Sequence, residues 1–218
     1  MMHELNILVH VIAGILGIFV AGLAYATQKR GAKHKLAGRV FLLLMAVVII
    51  TAFNGVLFFR DRPFLTIVTF QSLYTTYSGF RVLKTKEKGF ALVDFIVMCL
   101  VLVVTISFIW RIQSANILWH NSILYSILSY LLMIIAFDML RFFRPQLIKN
   151  PRFWVYDHIF KMTGSFSALI SAGAGTVMAK WEPYNQIIPA IFTTIWLIGC
   201  LIYFSKYAKS KQEENQPA

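Results

Sequence analysis

Acidic side chains are scarce in this chain: 9 Asp and Glu stand against 21 Lys and Arg in 218 residues. In a soluble protein such an imbalance would point to nucleic acid or an acidic partner. Here the basic residues gather in short segments between apolar runs, where they orient a membrane chain and meet anionic headgroups. No nucleic-acid partner is therefore expected. Cysteine is rarer still. Cys99 and Cys200 both fall inside apolar runs, without metal-ligand spacing, and read as small core residues. There is no CxxC pair, no HExxH, no Walker loop and no nucleophile elbow. Soluble-type hydrolytic chemistry thus has no visible support, and whether the chain is an enzyme stays open. The N-terminus, Met1-Met2-His3-Glu4, lacks a basic segment and a small-residue cleavage site, so the first apolar run reads as a retained span rather than a signal peptide.

What fills the chain instead is apolar. Hydrophobic residues make up 58% of it, where a soluble domain has about 45–50%. A run of about 20 apolar residues crosses roughly 30 Å of hydrocarbon. Seven such runs predict spans at Leu5–Thr27, Val40–Phe59, Phe64–Leu83, Phe90–Trp110, Ile117–Leu140, Trp154–Ala179 and Ile187–Phe204. Each is too long and too evenly apolar for a barrel strand. The expected fold is all-α, a polytopic transmembrane bundle of seven helices. Residues 1–209 form one membrane domain, and the polar stretch 210–218 forms a disordered cytoplasmic tail.

The basic residues sort by side. Lys29, Arg30, Lys33, Lys35 and Arg39 follow the first span; Arg81, Lys84, Lys86 and Lys88 the third; Arg141, Arg144, Lys149 and Arg152 the fifth; Lys206, Lys209 and Lys211 the seventh. The other side holds only Arg60, Arg62, Arg111 and Lys180. Positive loops stay cytoplasmic, which predicts a cell (plasma or inner) membrane protein with its N-terminus out and its C-terminus in. Trp110, Trp119, Trp181 and Tyr184 anchor the outer ends, and Trp154, Tyr156, Tyr203 and Tyr207 the inner ones.

Ionisable groups inside spans are costly and usually face the bundle interior, so they are where function is sought. His10 and His120 lie at similar depth near the outer face; His158 lies one turn into the sixth span, and His34 in the first cytoplasmic loop just before the second. Two histidines on different helices at one depth can hold a haem iron from both sides. Two such pairs, His10 with His120 and His34 with His158, would make an electron path across the membrane. The plainer reading is that each ring sits at a helix end with its polar tip among the headgroups. Below His10 runs Ala13, Gly14, Gly17, Ala21 and Ala24; beyond His158 run Lys161, Met162, Ser165, Ala168, Ala172 and Gly175. Such small stripes admit a neighbouring helix closely, and would also admit a flat macrocycle. Met162 is core filler before it is an axial ligand. The third span carries Gln71, Thr75, Ser78 and Arg81 on one face with Tyr74 and Tyr77 beside it, which predicts an interior position. Asp138 and Arg141, three apart, and Asp157 and Lys161, four apart, suit local ion pairs.

Three stretches carry a family likeness. They are His10-Val11-Ile12-Ala13-Gly14 followed by Gly31-Ala32-Lys33-His34-Lys35-Leu36-Ala37-Gly38-Arg39, then Ser78-Gly79-Phe80-Arg81, and His158-Ile159-Phe160-Lys161-Met162-Thr163-Gly164-Ser165. Over nearly the whole chain this resembles the DUF2306-type family of uncharacterised bacterial membrane proteins, whose pattern has Arg where Lys161 stands. The resemblance carries over no activity. It implies membrane localisation and marks His10, His34, Arg39, Arg81 and His158 as site positions. Three functions compete at this point: a histidine-ligated b-type haem carrier exchanging electrons with a quinone, a non-enzymatic transporter, and an accessory or assembly protein that binds a membrane protein partner.

Overall fold

Every long segment of the chain is helical. The structure, a computed structural model, describes residues 1–27, 31–58, 63–86, 91–114, 121–147 and 152–213. Seven α-helices follow one another: α1 (Met2–Ala26), α2 (Ala32–Phe58), α3 (Pro63–Thr85), α4 (Leu92–Ser114), α5 (Asn121–Phe143), α6 (Phe153–Val177) and α7 (Tyr184–Glu213). Single 3-10 turns lie at Pro145–Leu147 and Ala179–Trp181. No strand occurs among the described residues.

Boundaries differ from expectation in two instructive places. α2 starts eight residues before Val40, so the basic stretch around His34 is the helix's first turns rather than a loop. Lys, Leu, Ala and Arg are good helix formers, and water at the membrane surface solvates their charges while the backbone stays helical. α7 likewise continues through Glu213, taking in the first residues of the expected tail. Pro63 opens α3, where its missing N–H costs nothing.

The helices sort by polarity. Among the described residues five helices, α1, α2, α4, α5 and α7, are long and apolar enough to cross a membrane. α3 and α6 fall outside that set, because nearly every turn of each carries a hydroxyl, amide or charge. They occupy the middle. α3 touches α2, α4, α5 and α6, while α6 touches α1, α3 and α7. Thr75, Ser78, Asp94, Asp138 and Ser165 are fully buried, whereas Phe19, Leu43 and Leu100 are 60–69% exposed. Apolar outside and polar inside is the arrangement of a protein solvated by lipid. The chain is a multi-pass membrane protein whose surroundings are a bilayer.

Packing contacts fix helix directions. His10 meets Thr51 at one end of the α1–α2 pair and His34 meets Ala24 at the other. Thr76 meets Ser165, and Gly79 meets Lys161 and Met162 further along. Both pairs are therefore antiparallel. The small stripe of α1 is filled by protein. Ala13, Gly17 and Ala21 are buried in a cluster with α2 residues and Leu169 of α6. A Cβ on Gly17 would lie 3.1 Å from a Leu169 methyl. The α6 stripe is used in the same way: Ser165 bonds Thr76 and Ala168 packs on Val68. Close helix approach is thus what these small residues provide.

Candidate functional site at the basic end of the bundle

Charge gathers at one end, where the last turns of α3 and α5 meet the first turns of α4 and α6. Asp94 is the third residue of α4, and its carboxylate reaches back to the Ala91 N–H that precedes the helix, at 3.0 Å. That is the acidic half of a capping box. The same carboxylate receives Nε and Nη2 of Arg81 at 2.5 and 3.1 Å and the Tyr77 hydroxyl at 2.8 Å. The guanidinium of Arg81 is thereby engaged in a forked pair between α3 and α4.

A second network lies beside it. Lys161 donates to Asp138 at 2.5 Å and to Asp157, one turn below on its own helix, at 3.1 Å. Arg141 donates to Asp157 at 2.6 Å and to the Lys86 carbonyl at 2.9 Å. Tyr74 of α3 donates to the other oxygen of Asp138 at 2.8 Å. All four charged side chains are at most 4% exposed. The local pair Asp157–Lys161 is present as expected. The closest contacts, however, run between helices, joining Lys161 to Asp138 and Arg141 to Asp157. Antiparallel α5 and α6 bring acid opposite base twice, because the two helices present the charges in opposite order of depth. Two cations and two anions cancel, which is the condition under which a buried charge set is tolerated.

The histidines share one chemical feature. His158 places Nδ1 2.8 Å from the Gly79 carbonyl of α3. His34, in the first turn of α2, places Nδ1 2.9 Å from the Ala24 carbonyl of α1. A carbonyl only accepts, so both Nδ1 atoms carry the proton. His10 has Nδ1 2.8 Å from the Thr51 hydroxyl and 3.2 Å from the Val48 carbonyl. The Thr51 hydroxyl already donates to the Val47 and Val48 carbonyls, so it accepts here too. In each neutral ring Nε2 is left with its lone pair, and it has no hydrogen-bond partner among the described residues. Imidazoles that ligate metals are oriented this way, through the other ring nitrogen.

The candidate residues do not all converge. His34 and His158 lie at the same, basic end, where Tyr25 of α1 also meets Thr163 of α6. His10 is at the opposite end, and His120 lies outside the described residues. Arg39 is exposed on α2, and Arg81 is bound to Asp94. Met162 sits at the α3–α6 contact, where a Cβ on Gly79 would come 3.0 Å from its sulfur, so it is packing material. Among the described residues no three His, Cys, Asp or Glu side chains come together to bind a bare metal ion. A haem needs only axial ligands from protein, and two imidazoles meet that need. One turn along α2 from His34, a Cβ on Gly38 would meet nothing within 4 Å. The donor chemistry at the basic end, two imidazoles whose Nε2 has no partner among the described residues, is of the kind a haem iron takes. Searches against family models, curated proteins and solved structures find nothing that matches this chain.

Proposed function

We propose that this protein is a b-type haem carrier of the cell membrane, with His34 and His158 as the axial ligands and a bilayer quinone as its electron-exchange partner. The observation that carries the reading is the shared tautomer. Each ring is fixed through Nδ1–H to a carbonyl of a different helix, which leaves Nε2 as the ligating atom. When bound, haem supplies a one-electron iron centre shielded by the bundle. The chain's own part is to hold the two imidazoles and exclude water through the packed α3–α6 seam. A quinone suits a carrier that is almost all membrane helix.

The polar seam of α3 and α6 favours a second reading, a non-enzymatic transporter or an accessory protein, in which the histidines only hold helix ends together. One measurement separates the two. Protein expressed with ample haem supply and purified in mild detergent should show a Soret band and a reduced spectrum of six-coordinate haem. His158→Ala should remove the haem while the protein remains inserted and folded. A colourless wild-type protein overturns the haem reading and leaves the second.

A further inference from the structure

We propose that the basic end of α2 carries a binding site for the headgroup of an anionic phospholipid, with Lys35 and Arg39 gripping the phosphate. This rests on the α2 surface and stands apart from the haem reading.

α2 has 27 residues, which at 1.5 Å each make it about 40 Å long. The hydrocarbon it crosses is about 30 Å thick. The excess of about 10 Å is two turns, which places Lys35 and Arg39 at headgroup level. The two are one turn apart and both exposed. Helical spacing puts them on the same face as Leu43, Ala46, Ile50 and Leu57. Leu43, Ile50 and Leu57 are 60–70% exposed, and among the described residues no other helix covers this stripe. The stripe thus offers two cations at the membrane surface and then an unbroken apolar track for an acyl chain.

Charge accounting points to the same occupant. The acids described at this end are already neutralised inside the bundle: Asp94 by Arg81, and Asp138 and Asp157 by Lys161 and Arg141. Lys35 and Arg39 have no acidic partner among the described residues. Among the described residues nothing complements them, and an anionic headgroup can. The adjoining acyl track makes a phospholipid, rather than a free phosphate ion, the ligand that uses both parts of the stripe.

The test titrates phosphatidylglycerol into the full-length protein in a neutral detergent and follows thermal unfolding. Wild type should gain Tm, because a ligand that binds only the folded state stabilises it. Lys35→Gln and Arg39→Gln should each shift the titration midpoint about fivefold to higher lipid, as expected for one lysine or arginine at the membrane surface. Lys84→Gln, another exposed cation of the same end, should leave the midpoint unchanged. Equal stabilisation by phosphatidylcholine or by inorganic phosphate would overturn the proposal. So would an unchanged midpoint in the two α2 variants, or an equal shift in Lys84→Gln, which would mean a diffuse basic collar and no site.

Discussion

Lys161 reaches Asp138 on the neighbouring helix at 2.5 Å, closer than it comes to Asp157 on its own. The pair is sealed from both water and lipid, and it ties α5 to α6 at a point where Tyr74 of α3 also arrives. Three helices therefore share one carboxylate.

Removing one member leaves charge uncompensated. Lys161→Ala should destabilise the folded protein by about 3–5 kcal/mol, read as a large loss of Tm in detergent. Adding Asp138→Leu to Lys161→Met should recover most of that loss, since Arg141 still pairs Asp157. A double variant no more stable than Lys161→Ala would show that the network does not act as a charge-neutral set.

Two glycines should respond oppositely to the same change. A Cβ on Gly164 would run into the Tyr130 hydroxyl and lie 2.8 Å from its ring carbon Cζ, with the rigid ring unable to fold away. Gly164→Ala should cost about 1–3 kcal/mol. Gly22 has nothing within 4 Å of its would-be Cβ, so Gly22→Ala should be neutral or stabilise by up to about 1 kcal/mol through helix propensity. Thermal unfolding of the two variants side by side decides this, and equal effects would contradict the packing described.

Haem content should depend on the end of the bundle that is altered. His34→Ala should lower the haem-to-protein ratio as His158→Ala does, while His10→Ala should leave it unchanged, because His10 is held on Thr51 at the far end. Pyridine haemochrome quantification of the three variants gives the answer. Loss of haem in His10→Ala with retention in His34→Ala would move the ligands to the other end.

Orientation is checked by fusing reporters to the C-terminus. A cytoplasmically active fluorescent reporter should give signal, and a reporter active only outside the cytoplasm should stay silent. The reverse pattern would invert the topology that the basic loops predict.

Much of the fold is legible in the residues, for physical reasons that differ between helices. The apolar runs of α1, α2, α4, α5 and α7 announce themselves by length and composition alone. The interior place of α3 follows from Gln71, Thr75 and Ser78, which lipid would not solvate. The start of α2 is less legible, because a hydrophobicity argument stops where lysines begin, although the helix does not. The crossed ion pairs are hidden for another reason. Spacing of three or four suggests partners within one helix, and only antiparallel packing reveals that the acid–base order of α5 is the reverse of that of α6. The histidine tautomers are beyond reach altogether, since the Ala24 and Gly79 carbonyls that set them are on other helices and leave no mark in the sequence.

The central position of α3 bears on how the protein is made. α3 leaves the ribosome well before α6, the helix that covers its polar face. At about 5–20 residues per second, translation takes several seconds or more to deliver that cover. During that interval the Thr76 hydroxyl and the Gly79 carbonyl, whose final partners Ser165 and His158 are both on α6, must be sheltered by something else. An insertase that holds polar helices aside until their neighbours arrive would be needed more by this chain than by one whose seven helices could each enter lipid alone.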